Sequence, residues 1–454
     1  MHMNKISPKP PPAARPPGRR PRRRWLAAVS LAACLAAAYP AAAAADSTAA
    51  SAGTTQVDCA PPGVKAPPCY SPRAYQVAYG VAPLLSRGID GRGETVAMPE
   101  LAQTPASHGA TDIRKDLAAF DSKFGLPRAR LHVVTAIAKS PTPYLANGEE
   151  LGDAEMVHAF APGAPLDIIL VPADAISSPA NFAAAITKAI RESAALHAAV
   201  LSISASVGEH FLTSAEAARM HAALEQARKQ HVTILGSSGD GGAISSHPGG
   251  PPVEVNMPAS DPLVLGVGGT VLDASPGGTY LGEMAWNDNT EASGGGYSSL
   301  FGRPPYQDGL ARARATRGVP DVAANAAPST AMAIEYGDGE LRAATGTSSS
   351  TPLWAGVIAL ADQEAGQPLG FVNPAIYAIA RSPDYHQAFH DVVTGDNSVI
   401  WPTGVFTGYT AGLGWDPVTG WGSPDAQYLV PLLAHAARSG ALHELTCGML
   451  GLVL

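Results

Sequence analysis

Between residues 165 and 236, short apolar runs alternate with longer helical stretches, and this alternation restricts the fold more than any other feature. Pro165-Leu166-Asp167-Ile168-Ile169-Leu170-Val171, Ala199-Val200-Leu201-Ser202-Ile203-Ser204 and Val232-Thr233-Ile234-Leu235-Gly236 read as buried strands. The alanine-rich stretch Asn181–Leu196 and Ser214–Gln230 read as the helices between them. Glu94-Thr95-Val96-Ala97-Met98, after the turn Asp90-Gly91-Arg92-Gly93, and Leu131-His132-Val133-Val134 add two strand candidates. Strands that are apolar on both faces and separated by helices belong in a parallel sheet covered on both sides. The expected fold is therefore α/β, a parallel sheet flanked by helices, with functional loops at the strand C-termini. At 454 residues the chain is long enough for one large domain of this kind, and its 47 Gly and 41 Pro supply many turns.

The two ends read differently. Residues 1–45 carry Lys5, Lys9, Arg15, Arg19, Arg20, Arg22, Arg23 and Arg24 and no acid, and lead into Trp25-Leu26-Ala27-Ala28-Val29 and an alanine-rich run. This is an export signal, cleaved before Asp46, and its paired arginines also allow a twin-arginine signal. The expected destination is extracellular, with the periplasm as an alternative. Leu31-Ala32-Ala33-Cys34 resembles a lipoprotein box, a minority reading because apolar residues follow Cys34. Residues 46–69 form a Pro/Ala-rich linker in which Cys59 and Cys69 make a plausible disulfide in an oxidising compartment. The main domain is expected over 70–435 and a tail over 436–454, whose apolar run is too short to span a bilayer. Without the leader, 22 basic residues face 38 acidic ones. So acidic a body argues against nucleic acid or an anionic membrane as partner.

Chemistry concentrates at Thr345-Gly346-Thr347-Ser348-Ser349-Ser350-Thr351-Pro352, which runs into the apolar stretch Leu353–Leu360. A Gly turn, a hydroxyl cluster and a Pro in a first helical turn place one serine at a helix N-terminus. Free N–H groups and the helix dipole there can support a developing oxyanion. An ordinary helix cap uses the same residues. Upstream, Gly148–Ala161 reads as a helix with Glu149 and Asp153 four apart on one face. Two such carboxyls repel when both are ionised, so they titrate as a unit and suit a base that works in acid. A solvated helix face is the bland alternative. Gly236-Ser237-Ser238-Gly239-Asp240-Gly241-Gly242 sets Asp240 on a Gly-rich loop, either as an Asx turn or as a protonated donor to an oxyanion.

The ordered set of motifs resembles the sedolisin family of serine-carboxyl peptidases, which share a subtilisin-like fold. It comprises Tyr70-Ser71-Pro72, Gly148-Glu149 with Asp153, Gly239-Asp240 and Met257-Pro258-Ala259-Ser260-Asp261-Pro262. It continues with Trp286-Asn287, Gly294-Gly295-Gly296, Arg317-Gly318-Val319-Pro320-Asp321 and Gly346-Thr347-Ser348. The resemblance implies Ser348 as nucleophile, Glu149 as general base, Asp153 as its orienting partner and Asp240 as oxyanion stabiliser. Asp321 is expected to buttress the core. The resemblance also implies one structural calcium ion, held by Asp391, the Val392 carbonyl, the Gly412 and Gly414 carbonyls and Asp416; oxygen donors of this kind suit calcium.

The implied activity is a secreted, monomeric endopeptidase acting on proteins or peptides in acid through an acyl-enzyme. A catalytically silent binding homologue is a second reading and a Ser-His-Asp hydrolase a third. The third is poorly supported. Subtilisin-like enzymes need an Asp ending the first strand, where this chain has Met98-Pro99-Glu100, and His108-Gly109-Ala110-Thr111 only echoes their His helix. Three departures from the family pattern stand out. Only about 25 residues separate the predicted cleavage point from the domain start, where the family usually has a large prosegment. Gly152 stands where an apolar residue is usual, and Glu150 competes with Glu149 for the base position. Ser204-Ala205-Ser206-Val207-Gly208-Glu209 is expected to edge the substrate cleft.

Overall fold

Val96 and Met98 of strand β1 (Val96–Leu101) join one apolar cluster, while Ala97 between them joins another. Successive strand residues face opposite sides, so this split reports a sheet buried on both faces. The structure, a computed structural model, describes residues 56–59, 68–103, 110–139, 144–244, 253–337, 339–402 and 404–440. The export signal with Cys34, the His108-Gly109 pair, most of the linker and Cys447 lie outside these residues.

The remaining strands of the sheet are β2 (Arg130–Val134), β3 (Pro165–Val171), β4 (Val200–Ile203), β5 (Thr233–Ser237), β6 (Leu265–Ala274), β7 (Tyr280–Ala285) and β8 (Val322–Asn325). They lie in the order β7-β6-β5-β4-β1-β3-β2, with β8 also paired to β6. Every pairing is parallel except β6 with β7. The fold is α/β, a parallel sheet flanked by helices, as the alternation predicts, with element ends shifted by a residue or two.

Helices α1 (Gly148–Phe160) and α4 (Thr347–Ala365) cover one face of the sheet, and α2 (Pro179–Ala195) and α3 (Ser214–Lys229) the other. Each fully buried Leu, Ile or Phe in these layers contributes roughly 1.5–3 kcal/mol. α1 and α4 touch closely because Gly356 has no side chain; a Cβ there would sit 2.6 Å from the Phe160 Cβ. The contact fixes the start of α4 relative to the start of α1.

A second, four-stranded sheet pairs Gln56–Val57 with Cys69–Tyr70, and Tyr70 with the hairpin Met332–Glu335/Leu341–Ala344. Cys59 and Cys69 form a disulfide, with Cα atoms 5.8 Å apart. At the other end, helix α5 (Ala426–Arg438) packs Leu429 and Leu433 into the main core and ends three residues past 435. Among the described residues no helix is long and apolar enough to cross a membrane.

Candidate active site

The opening of α4 sorts its hydroxyls. Ser349, Ser350 and Thr351 are buried and donate to backbone carbonyls: Ser349 Oγ to Gly346 (3.0 Å), Ser350 Oγ to Gly268 (2.9 Å) and Thr351 Oγ1 to Thr347 (2.8 Å). Ser348 is the one left half-open, facing a cleft whose other wall begins at Glu149. Gly346 precedes the helix at φ 79°, and a Cβ on it would come within 2.6 Å of the Asp240 carboxyl. Glycine is required there twice, by the backbone and by the space.

Pro352 lies in the second turn of α4, not the first. It has no N–H, so the Ser348 carbonyl lacks its helical donor. Ser204, just past the end of β4, stands there instead, with its Oγ 3.3 Å from the Ser348 carbonyl and 2.5 Å from Asp153 Oδ2. One hydroxyl proton serves one acceptor at a time. The shorter of the two contacts is the one in which Ser204 donates to Asp153. The small-residue segment expected to edge the cleft therefore links the nucleophile's helix to the acid pair.

Asn147 caps α1 and resolves the competition between its two glutamates. Asn147 accepts from the Glu149 N–H at 2.9 Å, and Glu150 folds back to accept the Asn147 N–H at 2.7 Å. Glu150 also accepts from Gln103 (2.8 Å) and is buried, so it is held away from the nucleophile. Glu149 lines the cleft together with Ser348. Crowding by protein atoms pushes its carboxyl up to about 7; the Ser348 side chain opposes the rise, and the charges of Asp240 and Glu150 add to it. The residue is nonetheless exposed on its solvent side, and water reaching it there works against the rise.

Asp153 lies one turn further into α1 and is buried. Burial first, then the neighbouring Glu149 charge, holds its carboxyl well above the usual range, against hydrogen bonds from Ser204 and Glu100. Glu100, at the end of β1, is buried too and raised for the same reasons: burial first, then the charge of Asp153. Glu100 Oε1 is buried without a hydrogen-bond partner. Nothing in the sequence reading singled out Glu100, although that reading did look for a carboxylate at this strand end.

On the opposite flank Asp240 follows β5. Its Oδ1 accepts the Thr347 N–H (2.8 Å) and the Thr347 hydroxyl (2.7 Å). Burial raises this carboxyl against those two bonds, leaving Oδ2 as the oxygen to carry a proton beside Gly346. Ser348, Glu149, Asp153 and Asp240 are thus brought together at the C-terminal edge of the sheet. No histidine lines the cleft at Ser348 among the described residues. Asp321 stands apart, in a buried ion pair with Arg317 (2.5 Å), where it buttresses the core as expected.

The residues expected to hold calcium also converge. Asp391 Oδ2 accepts the Gly414 N–H (3.0 Å), and Asp416 Oδ2 accepts the Gly412 N–H (3.0 Å). Asp416 Oδ1 takes the Val418 and Thr419 N–H groups (2.8 and 3.0 Å), while the Thr419 hydroxyl lies 3.4 Å from the Val392 carbonyl. Asp391 Oδ1 is buried without a partner. No group of three or more Asp, Glu, His or Cys gathers anywhere among the described residues, so a cation here would depend on backbone carbonyls beside the two carboxylates.

Residues 134–375 match the subtilase family. The chain is 33% identical over 385 residues to kumamolisin of Bacillus sp. (strain MN-32), covering 82% of this chain and 65% of that protein. It is 35% identical over 228 residues to sedolisin of Pseudomonas sp. (strain 101), covering 48% and 37% respectively. Less than two thirds of either relative is therefore spanned. The solved Pseudomonas sedolisin, a serine-carboxyl proteinase complexed with pseudo-iodotyrostatin, superposes with a TM-score of 0.65 at 26% identity, over 83% of this chain and 100% of that one. With its parallel sheet and this match over more than half of its length, the chain belongs to the subtilase family.

Proposed function

We propose that the chain is a secreted serine-carboxyl endopeptidase that hydrolyses peptide bonds in acid through an acyl-enzyme on Ser348. The observation that carries this reading is the placement of Ser348, Glu149 and Asp153 along one cleft, with Asp240 held against Thr347 at the start of the same helix. Glu149 takes the hydroxyl proton as Ser348 attacks the substrate carbonyl. The oxyanion is met by the Ser348 N–H at the start of α4 and by a protonated Asp240. Glu149 then hands the proton to the departing amine, and water attacks the acyl-enzyme by the reverse route. Asp153 positions Glu149 and, with Glu100, stores the proton that keeps the cluster near neutral in acid.

The test compares wild type, Ser348→Ala, Glu149→Gln and Glu150→Gln on denatured protein across about pH 3 to 8, a range spanning carboxyl and histidine titration. Ser348→Ala and Glu149→Gln should each lose roughly a thousandfold or more in kcat. Glu150→Gln should keep activity and lose stability through its cap. Activity rising through neutral pH would point to a histidine base, and no activity at any pH would leave a binding homologue.

The calcium reading is supported by the orphaned Asp391 Oδ1 and by the all-oxygen donor set. When bound, one structural ion would be held by Asp391, Asp416 and the carbonyls of Val392, Gly412 and Gly414, tying two loops together. Chelation should lower Tm, restored by added calcium; an unchanged Tm argues against the ion. Export rests on the basic, apolar and small-residue pattern of residues 1–45.

A further inference from the structure

A cavity of about 270 Å³ opens beside Ser348 and Glu149, and the far part of its wall comes from the hairpin Met332–Glu335/Leu341–Ala344. Asp240 does not line it; that carboxyl borders a separate hollow of about 340 Å³ with Ile400 and Trp401. Substrate orientation follows from this division. The scissile carbonyl oxygen must point toward Asp240 and the Ser348 N–H, and the amine it releases must lie where Glu149 can protonate it. The cavity that begins at Glu149 is therefore on the amine side.

Its wall holds one cation, Arg342. The guanidinium stacks over the Tyr336 ring at 4.5 Å and donates through one nitrogen to Glu340 at 3.0 Å. Both members of that pair are largely solvent-exposed, so the pair is weak and screened. The planar fork retains further N–H donors arranged to meet a carboxylate. The two acids in the cavity wall, Glu149 and Asp153, are both raised toward their neutral forms, which lowers the repulsion an incoming anion would meet in acid.

We infer that the cavity receives the substrate segment on the amine side of the scissile bond, and that Arg342 selects a carboxylate in that segment. The carboxylate is either an Asp or Glu side chain or the substrate's own C-terminus. This inference rests on the peptidase reading above. Arg342 is a specificity residue, placed by the strand that feeds the nucleophile.

Quenched fluorescent peptides provide the test, in two sets cleaved by the full chain. One set exchanges Glu for Gln at each of the three positions after the scissile bond. The other ends in a free carboxylate or an amide at those positions. Wild type should prefer the acid member of at least one set by about tenfold in kcat/KM, the scale of one charge-assisted contact at a partly open site. The responding set identifies the source of the carboxylate. R342Q should bring the ratio close to one, and R342K should restore part of it. The preference should also fade below about pH 4 as the substrate carboxyl protonates. Cleavage with acid-to-amide ratios near one in wild type, or unchanged in R342Q, would overturn the inference alone. Should R342Q fail to fold, the wild-type ratio and its pH dependence still decide. If no peptide is cleaved, the peptidase reading fails and the inference goes with it.

Discussion

Ser348 stands out among four neighbouring hydroxyls because the others are spent on backbone carbonyls. The two glutamates of α1 divide in the same way: Glu150 is consumed by a cap and an amide, which leaves Glu149 for the cleft. Glu100 is the least expected member of the cluster, and its role makes a sharp prediction. It has no direct reach to the nucleophile and acts through Asp153, so it is a positioning residue. Glu100→Ala should lower kcat by about tenfold or more, the worth of one charge-assisted hydrogen bond, and move the acid limb of the pH profile. Glu100→Gln keeps a donor to Asp153 and should recover most of the loss. Equal damage from both variants would indicate packing alone.

At the scale of elements, α1 carries a local inconsistency. Gly152 sits mid-helix, where glycine costs roughly 1 kcal/mol relative to alanine. A Cβ there would meet only the Ile334 Cδ1 at 3.7 Å, an ordinary contact. Gly152→Ala should therefore raise Tm by about 1–2 °C, measured by calorimetry, and a fall would show that the cleft wall needs the space. The main sheet and α1 to α4 were legible from period and length, since strands buried on both faces leave uninterrupted apolar runs. The candidate acids on α1 were legible because four-residue spacing fixes a shared face. Ser204 and Glu100 were not. Each matters through a partner more than fifty residues away in sequence, and their local context looks like any strand end. The position of Pro352 was misjudged by a turn because the helix begins immediately after Gly346.

Among the described residues, five buried acids are shifted in one direction. Burial raises the carboxyls of Glu155, Glu283, Asp362, Glu100 and Asp153 above their ordinary range. A carboxyl raised in the fold binds its proton more tightly when native. Its contribution is complete below the unfolded value of about 4 and is lost as pH climbs toward the folded one. His221, raised by its 2.7 Å contact with the buried Asp261, acts in the same direction: its stabilisation is full below about 6.5 and lost above. Asp90 is lowered by Arg92 and pulls the other way, but that pair is open to solvent and weak. Tm should therefore be highest near pH 4 and decline steadily toward pH 8. A maximum at neutral pH would show that these buried groups find compensating charges in the fold.

The short N-terminal strand pair has a consequence for how the protein is processed. Tyr70 is paired to Met332, and its N–H donates to the Ala331 carbonyl at 2.9 Å, on the hairpin whose second strand leads to Ser348. Trimming from the front that removed Cys69 and Tyr70 would unstitch the strand beside the hairpin that leads to Ser348. A single nick between Cys59 and Cys69 would leave both ends covalently joined. A digestion time course should therefore show a product that keeps Cys69 and Tyr70 and resists further shortening.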